Sequence, residues 1–232
     1  MGQPLDAARL DTARLDAAGL GADPAPRLPT LPESRRSRKK SKTRADLLTA
    51  GVRLFEANGF DETTTSDIAE QADVSQRTLF RHFETKEALL YGDMEDLQFE
   101  LREALASRPT DEPILTMLRR VMLSLADNFD RNRDQRLLQA RLAATYASVS
   151  AYSRAVVQTN WEREIIAAVA DRLGVDPLTD PRPEIIAGAT MSAIRNATRQ
   201  WTASGGTADY LELIVEALEV IGTLGQLEQP VS

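Results

Sequence analysis

Three hydrogen-bonding side chains stand next to one another at Gln76, Arg77 and Thr78. Amide, guanidinium and hydroxyl groups in succession can read the edges of DNA bases, because they match the donors and acceptors exposed in the major groove. Leu79 and Phe83 follow at helical spacing, so they face a partner element and leave the three polar side chains pointing outward. The pattern predicts a short helix whose first turn enters a major groove.

The residues around these side chains predict a helix-turn-helix. A first helix covers about Thr65–Ala72, with apolar residues at helical spacing, and Thr64 with Asp67 completes a capping-box pattern at its start. Asp73-Val74-Ser75 makes the turn, because Asp tolerates left-handed backbone angles and Ser caps the next helix. The second helix runs over Gln76–Phe83.

The flanking sequence decides between this interpretation and two ordinary amphipathic helices of a bundle. A helix from Ala45 is stopped by Asn58-Gly59, and a further capped helix starts at Lys86. The ordered motifs LF..NGF, TT..DIA..ADVS..TLFRHF and TKEALL resemble the DNA-binding domain of the TetR family of transcriptional regulators. The resemblance covers about residues 42–97 without gaps and implies an operator-binding protein.

We expect Gln76, Arg77 and Thr78 to reach base edges. We expect Thr64, Arg81, His82 and Lys86 to contact or approach phosphates. The predicted DNA-binding residues of the domain also include Thr65 and Phe80. Two residues depart from the family pattern. Asp73 stands where the family usually has Gly, and Phe80 where it often has Tyr, so one phosphate-contacting hydroxyl is missing.

Charge is unevenly distributed along the 232 residues. The net charge is −7, yet residues 35–86 hold eleven Lys and Arg against eight Asp and Glu. Six positive charges fall within Arg35–Lys42, directly ahead of the helix-turn-helix. They predict a flexible basic arm over residues 35–41 that grips phosphates or enters the minor groove. A merely solvated run, a membrane anchor and a nuclear-import signal are the alternatives. The arm adds four candidate DNA contacts: Arg38, Lys39, Lys40 and Lys42.

Residues 1–34 are predicted to form a disordered tail. Their repeated units LDAAR, LDTAR and LDAAG place no apolar stripe along a helix, and a proline-rich stretch follows. The chain has no Cys, which excludes disulfides and thiolate metal ligands. No signal peptide or bilayer-spanning segment is recognisable, so we expect a cytoplasmic protein that does not enter the membrane.

Periodicity beyond residue 85 predicts helix after helix and no strand. The expected fold is all-α with about nine helices: a three-helix DNA-binding domain over 42–102, with the helix-turn-helix at 65–84, and a larger effector-binding and dimerisation domain over 103–228. The predicted helices of the larger part cover about 85–107, 113–129, 134–147, 150–173, 183–204 and 208–224. The TetR family has the same count and order.

The last two predicted helices indicate a homodimer. The final helix is apolar on two sides and needs a second layer, and the helix before it supplies small residues that permit close approach. Burial within the monomer is the alternative. The family dimerises through a four-helix bundle, and two-fold symmetry suits a palindromic operator. The predicted interface residues are Ala189, Ala193, Ala197, Ile214, Leu218 and Ile221.

An effector pocket is expected between the DNA-binding domain and this interface. Most of its candidates are polar or aromatic residues that interrupt apolar stripes, although each residue type is more often structural: Arg141, Tyr146, Tyr152, Asn160, Trp161, Arg195 and Trp201. Met122, from an apolar stripe, completes the predicted pocket. The segment from Arg141 to Gly206 resembles the C-terminal domain of the mycofactocin-system regulators, some of which sense acyl-CoA thioesters. The resemblance implies an acyl-CoA or another amphipathic effector.

Two other functions compete with regulation. An enzyme would lack the usual groups, because the sole histidine, His82, lies in the recognition segment and no phosphate-binding glycine loop or metal-spaced cluster is present. No cofactor is expected. A peripheral membrane adaptor would leave the outward polar residues at 76–78 unexplained. We therefore expect a TetR-like repressor that binds a palindromic double-stranded DNA operator as a dimer and leaves it when an effector binds.

Overall fold

The computed structural model describes residues 35–223, and the predicted tail over 1–34 and the predicted domain end at 228 lie outside that range. All secondary structure within it is helical, which confirms the all-α fold. The segments are α1 Arg35–Asn58, α2 Thr65–Gln71, α3 Gln76–His82, α4 Lys86–Leu90, α5 Met94–Ala106, α6 Ile114–Ser124, α7 Ala126–Arg131, α8 Arg133–Thr145, α9 Ala147–Tyr152, a π-helical segment Ser153–Gln158, α10 Thr159–Leu173, α11 Arg182–Ala203 and α12 Tyr210–Gly222.

These thirteen segments correspond to the nine predicted helices, because three of those are interrupted. The predicted helix over 85–107 breaks between α4 and α5, the next breaks at Leu125, and the predicted 150–173 helix is divided by the π-helical segment. At the first break, a Cβ on Gly92 would lie 2.5 Å from a methyl carbon of Leu48 and 2.7 Å from the Phe83 ring. The backbone therefore passes directly against the DNA-binding core, where any larger residue would clash.

The basic run is helical, which corrects the prediction of a flexible arm. Residues 35–41 form the first turns of α1. No Gly or Pro interrupts residues 33–50, Lys and Arg are good helix formers, and the ammonium of Lys42 pairs with the Asp46 carboxylate one turn on at 2.7 Å. Lys39 and Lys40 are exposed on this helical extension. Their contact with DNA stays a prediction.

Two apolar cores divide the described residues. The smaller core joins α1 to α4 and also takes in Leu142 and Val149 from the C-terminal half. The larger core contains Leu97 and Leu101 of α5 together with residues of α6, α10, α11 and α12. Because α5 belongs to the larger core, the domain boundary lies at the break around Gly92 rather than at the predicted residue 102.

Most of the predicted dimer-interface residues lie inside the monomer instead. Ile214 and Leu218 are buried in the larger core, as are Ala193 and Ala197 of α11. The remaining two, Ala189 and Ile221, are half-buried. The sequence shows that α12 is apolar on two sides, and the monomer's own core covers the side that carries Ile214 and Leu218.

Candidate nucleic-acid interface and ligand cavity

The helix-turn-helix forms as predicted. The Thr64 hydroxyl accepts the Asp67 amide, and the Asp67 carboxylate accepts the Thr64 amide at 3.0 Å, so the capping box is complete. Asp73 adopts the left-handed conformation, with φ at 52°, that the family usually gives to Gly. The Val74 amide then donates to the Ala69 carbonyl at 2.9 Å, which closes the end of α2 and starts the turn.

Helix α3 presents one apolar and one polar face. Leu79 and Phe83 are buried in the smaller core, as the spacing predicts. Arg77 and Arg81 are exposed on the opposite side, and the ring of Phe80 is 48% exposed beside them. An aromatic ring left in water next to two guanidinium groups can make apolar contact with a thymine methyl or pack against a sugar.

The predicted base-reading residues are partly held in place before DNA arrives. The Gln76 amide donates to the Thr65 hydroxyl at 3.0 Å, and the hydroxyls of Ser75 and Thr78 lie 2.9 Å apart. Arg77 has no ion-pair partner among the side chains of residues 38–223. Its guanidinium is thus free to form a bidentate pair with a guanine.

Lys86 has a structural role that its sequence position did not reveal. Its ammonium donates to the carbonyl oxygens of Phe60 at 2.8 Å, Thr63 at 3.0 Å and Asp61 at 3.5 Å, and it lies 4.6 Å from the centre of the Phe60 ring. All three ammonium hydrogens are directed at the loop between α1 and α2. The structure thus gives Lys86 a contact that holds this loop, and its contact with a phosphate stays a prediction.

We expect Lys86→Met to lower stability rather than DNA affinity. Three hydrogen bonds from one charged donor are lost, at about 1.5–3 kcal/mol for such a group. The slope of log affinity against log salt should stay unchanged in the folded fraction, because no phosphate contact disappears. The exposed Lys40→Met is the matched control and should reduce that slope by about one unit. A reduced slope in Lys86→Met would restore the phosphate role.

The surroundings of His82 disfavour its charged form. Its Nε2 is buried without a hydrogen-bond partner among the described residues. Burial, followed by the positive charges of Arg81, Arg44 and Lys40, lowers the pKa of His82 below its usual 6.5. In the free protein the lowered pKa favours the neutral imidazole, and the contact of His82 with a phosphate stays a prediction.

This lowered pKa makes the domain less stable in mild acid. The unfolded chain takes up a proton on His82 near pH 6.5, whereas the folded chain does so only at lower pH, so stability is lost as pH falls through about 6.5. Urea midpoints at pH 7.5 and 5.5 should differ more in the wild type than in His82→Gln. Equal shifts in the two proteins would show that the environment of His82 does not carry the effect.

Side chains from both domains hold the break between α4 and α5. Arg44 of α1 donates to the Gly92 carbonyl at 2.9 Å and lies 4.5 Å above the Phe83 ring. From the other side, the Gln139 amide of α8 donates to the Leu90 carbonyl at 2.9 Å. Backbone groups freed by the break are thereby satisfied, once by the DNA-binding domain and once by the larger domain.

A cavity of about 680 Å³ adjoins this break inside the larger domain. Its volume falls in the range of small-molecule sites, and its wall is mainly apolar and aromatic. Phe129 stacks on Tyr210, with ring centres 4.2 Å apart, and meets Trp201 edge-on at 5.1 Å. Four predicted pocket residues line the cavity: Met122, Trp161, Arg195 and Trp201.

The other four predicted pocket residues lie elsewhere. Tyr152 and Asn160 line a second cavity of about 480 Å³ between the domains. Tyr146 packs on the Phe60 ring at 5.6 Å and belongs to the smaller core. Arg141 is exposed on α8 and lines neither cavity. Arg141 and Tyr146 are thus corrections: one lies on the solvent face of its helix, and the other supports the DNA-binding domain.

Sequence reasoning missed the two polar residues of α8 in the wall, Arg136 and Gln139. Both are buried, with Arg136 only 6% exposed. Their spacing of three residues puts them on one helix face, which Leu142 continues. Only that placement on the apolar face could have signalled them, because a charged residue is otherwise assigned to the solvent side.

None of the helices in residues 35–223 combines the length and the hydropathy needed to cross a membrane.

Comparison with known proteins agrees with this architecture. Residues 47–91 match the model of the "Bacterial regulatory proteins, tetR family", and residues 112–224 match that of the "MftR C-terminal domain". One relative is the HTH-type transcriptional regulator TcmR of Streptomyces glaucescens. It is 31% identical over 173 residues, which cover 72% of this chain and 76% of that protein. MftR of Mycobacterium tuberculosis, named for the regulation of mycofactocin biosynthesis, is 28% identical over 85% of this chain and 98% of its own.

Solved structures share the fold at lower identity. The FadR repressor of Thermus thermophilus, in complex with lauroyl-CoA, has a TM-score of 0.54 and 23% identity, over 81% of this chain and 97% of that chain. The FadR regulator of Bacillus subtilis, in complex with stearoyl-CoA, has a TM-score of 0.55 and 14% identity, over 76% and 96%. The matching families and relatives are transcriptional regulators, and none indicates an enzyme. With its helix-turn-helix, its MftR-type C-terminal domain and these relatives, the chain belongs to the TetR family of transcriptional regulators.

Proposed function

We propose that this protein is a repressor that binds a palindromic operator as a homodimer and releases it when an amphipathic small molecule fills the 680 Å³ cavity. One observation carries the proposal. The cavity wall and the DNA-binding core meet at the same backbone break, where α8 holds the Leu90 carbonyl and α1 holds the Gly92 carbonyl. A ligand that repositions α8 can therefore change the orientation of α3.

The cavity suits a ligand with an apolar body and an anionic head. Its interior is mainly apolar apart from the buried Arg136 and Gln139. Three further arginines, Arg154, Arg195 and Arg199, line it and are exposed to solvent. Three guanidinium groups where the cavity opens favour phosphate or carboxylate groups, which they bind by bidentate hydrogen bonds. An acyl-CoA combines these two parts, and the two FadR structures hold such ligands.

The dimer would form on the outer side of α12. Ile214 and Leu218 belong to the monomer core, and Leu213 and Ala217 pack partly against it. Val220 is 54% exposed and marks the outer side of the helix. Helix α11 packs beside it, so two copies could pair these helices about a two-fold axis in a four-helix bundle. Two recognition helices would then face successive major grooves, roughly 34–36 Å apart.

The test is selection of binding duplexes from a random library by the full-length protein. We expect a palindromic consensus, a complex of two chains by light scattering, and loss of binding on addition of lauroyl-CoA while the protein stays dimeric. Selection of no consensus would refute operator recognition. Unchanged binding with lauroyl-CoA would refute the acyl-CoA effector, and ligand-driven dissociation into monomers would refute release by reorientation of the recognition helices.

A further inference from the structure

The polar end of the cavity wall is tied to the break by one carboxylate. Arg136 of α8 places a guanidinium nitrogen 2.6 Å from Asp93, which lies between α4 and α5. Gln139, one turn further along α8, donates to the other oxygen of Asp93 at 2.9 Å and to the Leu90 carbonyl at 2.9 Å. Helix α8 therefore holds the break through these two side chains, both of which line the cavity.

The ion pair is close but poorly aligned. Asp93 Oδ2 lies 2.6 Å from Arg136 and still lacks a hydrogen bond of good geometry. The Arg136 Nε is buried and has no partner within residues 35–223. The guanidinium also donates to the side-chain oxygens of Gln139 at 3.2 Å and Asn128 at 3.4 Å. Its Nε remains available as a donor, so an acceptor arriving in the cavity can gain a charged hydrogen bond from Arg136.

The buried polar atoms of the cavity wall that lack a hydrogen-bond partner in the described part of the chain are all donors. Besides the Arg136 Nε, the indole Nε1 of Trp161 and that of Trp201 are buried without partners among the described residues. All three are donors, and a buried donor without an acceptor is unfavourable. A ligand that places an acceptor oxygen next to one of them gains a hydrogen bond, whereas a plain alkyl chain does not.

We propose that the Arg136–Asp93 pair is the coupling point between cavity and operator, and that the effector carries an acceptor oxygen, a carbonyl or a carboxylate, which draws Arg136 from Asp93. This inference rests on the proposed function. With Asp93 paired, α8 fixes the break in the DNA-binding geometry. When the ligand oxygen takes the guanidinium, Asp93 loses its charge partner, and the break and α4 are free to move.

The substitution Asp93→Asn tests the coupling without creating a cavity, because Asn has nearly the same size as Asp. The amide keeps the shape and an acceptor oxygen for Gln139 but removes the charge that holds Arg136. We expect operator affinity without ligand to fall by roughly tenfold or more, in the range of allosteric couplings, and lauroyl-CoA to bind more tightly than to the wild type. A substitution that only damaged the structure would weaken both operator binding and lauroyl-CoA binding. Unchanged operator affinity, or the loss of both activities, would overturn the proposal.

Glu112→Gln is the matched control. Glu112 is also a buried carboxylate of the larger domain, paired with Arg108 and Arg120 at 2.8 Å, but it does not touch the break. In this variant the affinities for operator and for lauroyl-CoA should not move in opposite directions. If Asp93→Asn does not fold, the double variant Asp93→Asn with Arg136→Gln leaves no buried charge unpaired and should bind operator as weakly as the single variant was expected to. Wild-type operator affinity in the double variant would overturn the coupling.

A second pair of probes tests the acceptor oxygen. Lauroyl-CoA and its thioether S-dodecyl-CoA differ by the thioester carbonyl alone. The wild type should release operator at least about fivefold more readily with the thioester, and the difference should vanish in Arg136→Met. Equal release by both probes in the wild type would overturn the acceptor role. If neither probe acts on the wild type, the acyl-CoA effector fails, and Asp93→Asn alone still decides the coupling.

Discussion

Leu218→Glu is expected to abolish folding rather than dimerisation. Leu218 is 1% exposed within the core of its own chain, among residues of α6, α10, α11 and α12. A carboxylate at this position has no positive partner, and an unpaired buried charge costs several kcal/mol, which is comparable to the whole stability of a domain. Circular dichroism should show lost helix content or a collapsed melting transition.

Val220→Glu on the outer side of the same helix is the matched control. Its side chain is 54% exposed in the monomer, so a charge there leaves the core intact. The variant should fold with wild-type helix content and run as a monomer in light scattering, because the charge would meet the two-fold partner. Native helix content in Leu218→Glu would contradict the burial of this residue, and a dimeric Val220→Glu would contradict the proposed interface.

Arg77→Ala should cause the largest loss of specific DNA binding without loss of fold. Arg77 is exposed on α3 and has no ion-pair partner among the described residues, so its removal disturbs no contact of the free protein. A bidentate Arg–guanine pair contributes ~1–3 kcal/mol per half-site, and a dimer would lose it twice. Affinity for the selected palindrome should fall, while affinity for random duplexes changes little.

Arg81→Ala separates base reading from backbone contact. Arg81 lies one helical turn later on α3 and is predicted to contact a phosphate. Its loss should weaken all duplexes alike and lower the salt slope by about one unit. Fluorescence anisotropy at several salt concentrations, with the palindrome and a scrambled duplex, measures both effects. If Arg77→Ala leaves the ratio of the two affinities unchanged, α3 does not read bases through this residue.

Local signals made the DNA-binding domain predictable. The capping box at Thr64 and Asp67, the left-handed Asp73 and the apolar pair Leu79 and Phe83 each act within a few residues of the chain, and all form as expected. Lys86 shows the limit of this reasoning. Its three acceptors are backbone carbonyls more than twenty residues earlier, and nothing in the local sequence distinguishes such a lysine from one that binds phosphate.

Predicting the cavity residues required knowing which face of each helix points inward. Hydrophobic periodicity does not give that face when polar residues lie on it. Arg136 and Arg141 lie on the same helix, yet the first is buried in the wall and the second is exposed. The same limit explains the misplaced interface. A helix apolar on both sides predicts two contacts, but only the packed domain shows that the side with Ile214 faces inward.

The break around Gly92 is held from both domains, by Arg44 of α1 and Gln139 of α8, and this limits which domains can be exchanged between this protein and its relatives. A chimera that joins a foreign DNA-binding domain to this effector domain at the break would retain Gln139 and Arg136 but replace Arg44, and the reverse chimera would do the opposite. In either case one carbonyl at the junction would lose its donor. A domain can therefore be exchanged only if the donors on α1 and on α8 are both kept. New pairings of operator and effector require that α1 and α8 be exchanged together or matched to each other.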